Sequence, residues 1–167
     1  MDKPLNIEIN KDYSYEEIPF SEAGCLLPLA NRLVRHLGGS PTYFPCVDFS
    51  EESFLARCTR KQSRIFVAKN MDEIIGYLEI IKDGETFISE EADMLNVCGV
   101  YLKEEYRGKN ILQSLLSFVL EALKKEGKKR LGVDCETLNP TALRFWGKHF
   151  DNYTYSFVRR IDERILK

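Results

Sequence analysis

Leu102-Lys103-Glu104-Glu105-Tyr106-Arg107-Gly108-Lys109-Asn110-Ile111-Leu112 is the stretch on which the reading of this chain turns. Upstream, Asn96 to Leu102 is apolar and β-branched enough for a strand. Downstream, Lys109 to about Lys125 repeats apolar residues at helical spacing: Ile111, Leu115 and Val119 form one stripe, with Leu112, Leu116, Leu120 and Leu123 beside it. Gly127 follows as a helix-ending glycine would. The stretch is therefore a tight turn from a strand into a long amphipathic helix. The first N–H groups of a helix have no intrahelical acceptor. Together with the positive end of the helix dipole they suit a phosphate or pyrophosphate. Gly108 permits close approach of the backbone, and Arg107 and Lys109 add positive charge. Alone, this pattern fits a plain strand-to-helix turn equally well.

Working outward, Asn6 to Lys11 is expected as a first strand. Leu26, Leu27, Ala30, Leu33, Val34 and Leu37 recur as a helix that Gly38-Gly39 stops. Ser50 is placed to cap a second helix through about Arg57. Arg64 to Ala68 and Ile74 to Ile81 form a hairpin around Asn70-Met71-Asp72-Glu73. Residues 83 to 95 are polar and acidic and are expected as a loop. Beyond the long helix, Leu131, Val133 and Cys135 alternate as a strand. Asn139-Pro140 opens a helix with proline in its first position, and Ala142, Phe145, Trp146 and Phe150 supply its buried side. Tyr153 to Ile161 is expected as a last strand. The order β-α-α-β-β-β-α-β-α-β predicts an α/β (α+β) fold: a mixed, mostly antiparallel central sheet with helices on both faces.

The 167 residues, with no internal repeat or linker, are the length of one domain, residues 1–167. Hydrophobic residues make up 44% and charged residues 30%, which suits a packed core. A net charge of −2 and a pI near 5.8 argue against a nucleic-acid partner. No apolar run reaches the roughly 18 residues of a membrane span, and no signal core opens the chain, so a cytoplasmic protein is expected. Five scattered cysteines without a Cys-x-x-Cys pair, and two histidines, predict free thiols and no metal site.

Arg107-Gly108-Lys109-Asn110-Ile111-Leu112 resembles the motif Arg/Gln-x-x-Gly-x-Gly/Ala of GNAT acyltransferases, whose amides hold the pyrophosphate of acyl-CoA. Asn110 stands where the family has glycine, and asparagine tolerates the left-handed conformation. Leu112 stands where the family has glycine or alanine, and its bulk is expected to crowd the pyrophosphate. Asn139-Pro140-Thr141-Ala142-Leu143-Arg144-Phe145-Trp146 is similar to the family's Asn-x-x-Ala-x-x-Phe/Leu-Tyr motif, with Trp146 in place of tyrosine. One helix and one strand separate the two motifs, as in the family.

The resemblance implies an N-acetyltransferase with acetyl-CoA as co-substrate and no metal. It implies a CoA site at Val100, Tyr101, Leu102, Arg107, Gly108, Lys109, Asn110, Ile111, Leu112, Asn139 and Trp146. A backbone N–H near Val100 to Leu102 would polarise the thioester carbonyl. Glu136, with Glu79 behind it, is the expected base, unless a water chain serves. Tyr155, or Tyr153, would stand in for the missing acid. Tyr43-Phe44-Pro45 would line the acceptor pocket, and the acceptor would be a small-molecule or peptide amine. The protein would be a monomer or homodimer with no membrane partner.

Each residue also has a plainer reading. Asn139 suffices as a helix cap, Trp146 as a core aromatic, and Lys124, Lys125, Lys128, Lys129 and Arg130 as a solvated helix end. Cys98 and Cys135 fit as buried filler. An acyl-CoA-binding sensor that has lost catalysis is the alternative, favoured by Leu112 and Trp146. An unrelated phosphate-binding fold is disfavoured by the lack of Gly-x-x-x-x-Gly-Lys-Ser/Thr and Gly-x-Gly-x-x-Gly.

Overall fold

The computed structural model describes residues 8–39, 47–84 and 91–155. The first strand among the described residues, β1, is Ser14–Ile18; of the expected strand Asn6 to Lys11, Asn6 and Ile7 lie outside the described residues and Glu8 to Lys11 are not in a strand. The reason is local. Asn10 Oδ1 accepts from the N–H of Asp12 at 3.0 Å, a side-chain turn that interrupts extended chain. The strand starts after it, where Tyr15 and Ile18 can face opposite sides of the sheet.

A 3₁₀ segment, Phe20–Leu26, leads into α1, Leu27–Gly38, which ends at Gly39 as expected. Helix α2 is Glu51–Lys61, with Ser50 Oγ accepting from Ser53 N at 3.2 Å. It runs one turn beyond the expected end at Arg57. Its buried face is carried by Phe54 and Cys58, and the polar run after Cys58 hides that continuation from a hydrophobic-periodicity reading.

Strands β2, Arg64–Asn70, and β3, Glu73–Ile81, form the hairpin. Strand β4 is Met94–Leu102, α3 is Ile111–Lys125, β5 is Arg130–Val133 and α4 is Pro140–His149. After α3, Lys128 N bonds Leu123 O and Gly127 N bonds Lys124 O, both at 3.0 Å. With Gly127 at φ 76° this is a Schellman stop. Cys135 lies just past β5. The expected last strand lies mostly outside the described residues, and Tyr153–Tyr155 have no regular structure.

The sheet order is β1-β2-β3-β4-β5, antiparallel except for the parallel pair β4/β5. Helix α3 packs Leu115, Leu116, Val119 and Leu123 against Phe66, Leu78 and Ile80 on one face, joined by Trp146 of α4. On the other face the 3₁₀ segment, α1 and α2 bring Leu26, Leu29, Ala30, Phe54 and Cys58 against Ile65, Val67, Tyr77 and Tyr101. Central strands covered on both faces read as continuous apolar runs, as Ile65-Phe66-Val67-Ala68 does.

One feature of the sheet positions the site. Strand β4 pairs with β5 only from Met94 to Val97, whereas its pairing with β3 continues to Leu102. At the point of parting, Gly99 opposes Glu79 and Val97 opposes Ile80, so Cys98 is an extra residue in a bulge. Among the described residues, β4 beyond Val97 has a strand neighbour on one side only. The described cysteines Cys25, Cys58, Cys98 and Cys135 are free thiols. No described helix is long and apolar enough to cross a membrane.

Candidate active site

The turn from β4 into α3 is fastened before it is shaped. Lys103 forms an ion pair with Glu73 at the β2–β3 turn. Tyr106, in the short 3₁₀ turn Glu104–Tyr106, accepts from Asn70 Nδ2 at 3.1 Å. Gly108 then takes φ 78° and Asn110 φ 60°. Both are left-handed, the conformation for which glycine is favoured and asparagine tolerated. An added Cβ on Gly108 would meet nothing within 4 Å, so the glycine answers to its backbone angle and to open space beside it.

The first helical bond runs from Ser114 N to Asn110 O at 3.1 Å. The amides of Ile111, Leu112 and Gln113 precede it and have no intrahelical acceptor. Arg107 donates from Nε to Leu102 O at 3.3 Å and lies 5.8 Å from the centre of the Tyr101 ring. Lys109 Nζ is 5.1 Å from the centre of the Tyr106 ring. Two cations therefore flank an open helix start. Leu112 turns its side chain partly against the α3-side core.

A third partner of this turn has no signal in local sequence pattern. Asn10 N donates to Ser114 Oγ at 2.9 Å, and Asn10 Nδ2 donates to Lys109 O at 2.9 Å. Asn110 Nδ2 donates to Glu8 O at 2.7 Å. Ser114 Oγ donates to Asn110 O at 2.8 Å and is fully buried. The segment before β1 thus laces the left-handed residue Asn110 into place. These partners stand about a hundred positions apart, so no periodicity links them.

At the open edge of β4, Val100 and Leu102 send their side chains to the α3-side core and Tyr101 sends its ring to the other. In a strand paired on one side, alternate backbone groups face away from the partner. What this segment presents beyond β5 is main chain.

Below the bulge, on the α2 side, lies a buried polar group. Glu79 is 3% exposed. Arg57 Nη1 donates to both its oxygens at 2.8 and 3.0 Å, and Ser63 Oγ donates to Oε1 at 2.6 Å. Arg57 Nη2 continues to Cys98 Sγ at 3.1 Å, and Lys61 Nζ reaches the same sulfur at 3.6 Å. Burial opposes the charge on Arg57, but hydrogen bonds and charge from Glu79 outweigh it and raise its pKa. Burial, then Glu79, pushes the Cys98 thiol up against the pull of Arg57 and Lys61. The same two causes raise the Tyr77 phenol. The sequence carries a sign of this cluster: Glu79 interrupts the apolar run Ile74–Ile81.

The remaining candidates are more dispersed. Asn139 Oδ1 accepts from Ala142 N at 3.1 Å and caps α4. Trp146 is buried in the α3-side core, edge-on to Phe145 and Phe150. Glu136 is exposed just after β5, and Tyr155 is 70% exposed, its hydroxyl accepting from Asn152 Nδ2. Tyr153 is exposed as well. Tyr43-Phe44-Pro45 lies outside the described residues, as does the middle of the acidic loop. Among the described residues no group of three or more His, Cys, Asp or Glu is placed to hold a metal.

The geometry has counterparts. The model of the acetyltransferase (GNAT) family matches residues 31–151. No curated protein matches the chain. An aminoglycoside acetyltransferase from an uncultured soil metagenomic sample, crystallised with trehalose, superposes with TM-score 0.68 at 15% identity, over 93% of this chain and all of that one. The putative acetyltransferase yncA from Salmonella typhimurium, solved with its cofactor acetyl-CoA, superposes with TM-score 0.63 at 15% identity, over 81% of this chain and 77% of that one. A ribosomal-protein-alanine N-acetyltransferase from Brucella melitensis biovar Abortus 2308 gives 0.64 at 11% identity, over 90% and 99%. At these identities the structures establish the fold. The family match covers well over half the sequence, and on that ground this chain belongs to the acetyltransferase (GNAT) family.

Proposed function

We propose that this protein is an N-acetyltransferase that moves the acetyl group of acetyl-CoA to a primary amine of a small molecule or peptide by direct attack. The observation that carries the proposal is the left-handed turn Gly108–Asn110 opening α3 beside the edge of β4 that has no strand partner among the described residues. In this reading, amides from Gly108 to Leu112 bind the pyrophosphate, with Arg107 and Lys109 adding charge. Asn139 has committed its oxygen to capping, so its amide nitrogen is the end offered to the pantetheine arm. The main chain of Val100 to Leu102 receives that arm and polarises the carbonyl. The amine nitrogen forms a bond to the carbonyl carbon, the C–S bond breaks, and CoA leaves as its thiolate. The amine proton passes to a base.

Glu136, exposed just after β5, is the residue assigned as base. Glu79 is a poorer choice, because Arg57 and Ser63 already occupy its oxygens. Tyr155 is the residue assigned to protonate the thiolate. Trp146 donates only through an indole N–H and serves as packing.

The test is thiol release from acetyl-CoA across a panel of amines, alongside calorimetric titration of acetyl-CoA. Saturable, amine-dependent release supports the proposal. Binding without release for any amine favours the second reading, an acyl-CoA-binding sensor. That reading draws on Trp146, which stands in the tyrosine's place and is buried among aromatic rings.

A further inference from the structure

Two half-buried lysines contrast with Lys61. Lys69 pairs with Glu16 and Lys103 with Glu73. Lys61 has no such carboxylate among the described residues: its ammonium reaches the sulfur of Cys98 at 3.6 Å. Arg57 Nη2 reaches the same sulfur at 3.1 Å. Two cations thus converge on one neutral atom. Their only carboxylate among the described residues, Glu79, is already bound by Nη1 of Arg57 and by Ser63. Arg57 and Lys61 contribute two positive charges and Glu79 one negative charge, which leaves one positive charge over. Drawing a cation out of water toward a neutral group costs free energy. A purely structural cluster would be complete with Arg57, Glu79 and Ser63.

The place of this surplus matters. Cys98 is the bulged residue directly after Val97, where β4 parts from β5. The cluster lies on the α2 face, whereas the α3 turn and its open amides belong to the opposite side of the sheet. It is thus separate from the phosphate-binding turn yet borders the edge to which the proposed reaction is assigned.

We propose that Lys61 and Nη2 of Arg57, which among the described residues face only the neutral sulfur of Cys98, form a carboxylate subsite at the β4 bulge, which orients a carboxylate-bearing reactant of the acetyl-transfer reaction. The inference rests on the acetyl-transfer reading for its substrate role, though not for the anion site itself. One surplus charge and a planar guanidinium edge suit a carboxylate. Glu79 beside them disfavours a doubly charged phosphate. The carboxylate has two possible sources: an amino-acid-like acceptor, or a dicarboxylic acyl group on CoA.

The probes are iodoacetate and iodoacetamide, which alkylate the same thiol and differ in charge. Their rates at Cys98 are read by peptide mass spectrometry in the wild type, Lys61→Gln and Lys61→Arg. Melting curves confirm that the variants fold. We expect the iodoacetate-to-iodoacetamide ratio at Cys98 to exceed that at Cys135, which has Glu136 as its charged neighbour. Lys61→Gln should lower the ratio about fivefold, the effect of removing one unit charge near 4 Å in water, and Lys61→Arg should keep it. In the second arm, thiol release is compared for α-amino acids against their carboxamides, and for acetyl-CoA against succinyl-CoA. Preference for the acid form of the acceptor assigns the subsite to the acceptor, and preference for succinyl-CoA assigns it to the acyl group. Either preference should vanish in Lys61→Gln.

An unchanged alkylation ratio in Lys61→Gln overturns the anion site. An active enzyme indifferent to both carboxylates overturns its substrate role. Loss of all thiol release with the alkylation preference intact removes the acetyl-transfer reading and leaves the anion site standing.

Discussion

Helix α3 carries its own control experiment. Gly108 precedes it at φ 78° and Gly127 follows it at φ 76°, and an added Cβ would meet nothing within 4 Å at either. Alanine at either position therefore incurs the same left-handed penalty, about 1–2 kcal/mol, without a steric clash. In a domain of this size that is a fall in Tm of roughly 2–8 °C, the same for both variants. Their affinities should diverge. Gly108 lies beside the open amides of the helix start, whereas Gly127 lies in the Schellman stop at the far end. If Gly108→Ala denies the pyrophosphate one charge-assisted amide bond, the loss is about 1.5–3 kcal/mol. That corresponds to about 10- to 150-fold weaker binding, while Gly127→Ala keeps wild-type affinity. Calorimetric titration of acetyl-CoA into the three proteins, with melting curves beside it, gives both quantities. Equal affinities at equal stability would refute the placement of the cofactor. Unequal melting shifts would refute the claim that the backbone angle alone sets the cost.

Asn10→Ala removes the side-chain bonds to Lys109 O and from Asp12 N, each worth about 0.5–1.5 kcal/mol; KM for acetyl-CoA should rise severalfold while KM for S-acetylpantetheine, which lacks the pyrophosphate, stays put. Equal changes for both donors would mean that the lacing supports the fold alone. Glu79→Ala should destabilise the domain by about 3–5 kcal/mol in denaturant titration, because Arg57 is left half-buried without its carboxylate; a cost below about 1 kcal/mol would show that water reaches the pair. Trp146→Phe should leave kcat within a fewfold of wild type, since the ring packs between Phe145 and Phe150. A loss of about 10²–10⁴-fold in kcat at unchanged stability would identify a proton-transfer role instead.

Much of the molecule is legible in its amino acids because the determining contacts are local. The periodicity of Ile111 to Leu123, the glycine at 127, the cap at Ser50 and the Asn139-Pro140 start each act within a few residues, and each of these local features is found in the structure. That Asn110 tolerates a left-handed angle was legible too, whereas its adopting one, as Gln62 and Met71 also do, is shown only by the structure. Local pattern misled where polar residues mask a buried face, as at the last turn of α2, and where a side-chain turn breaks an extended run, as at Asn10. What only the tertiary structure decided lies between residues distant in sequence. The parting of β4 from β5 after Val97, where β5 ends at Val133 and Cys98 bulges from β4, is a matter of pairing between strands distant in sequence. The lacing of Glu8 and Asn10 onto the α3 turn brings partners together across the whole chain. The convergence of Arg57 and Lys61 on Cys98 needs α2 seated over the bulge before either cation can find the sulfur. A sequence records which groups exist and how neighbours constrain one another, whereas an ion pair or an open strand edge exists only once the layers have packed.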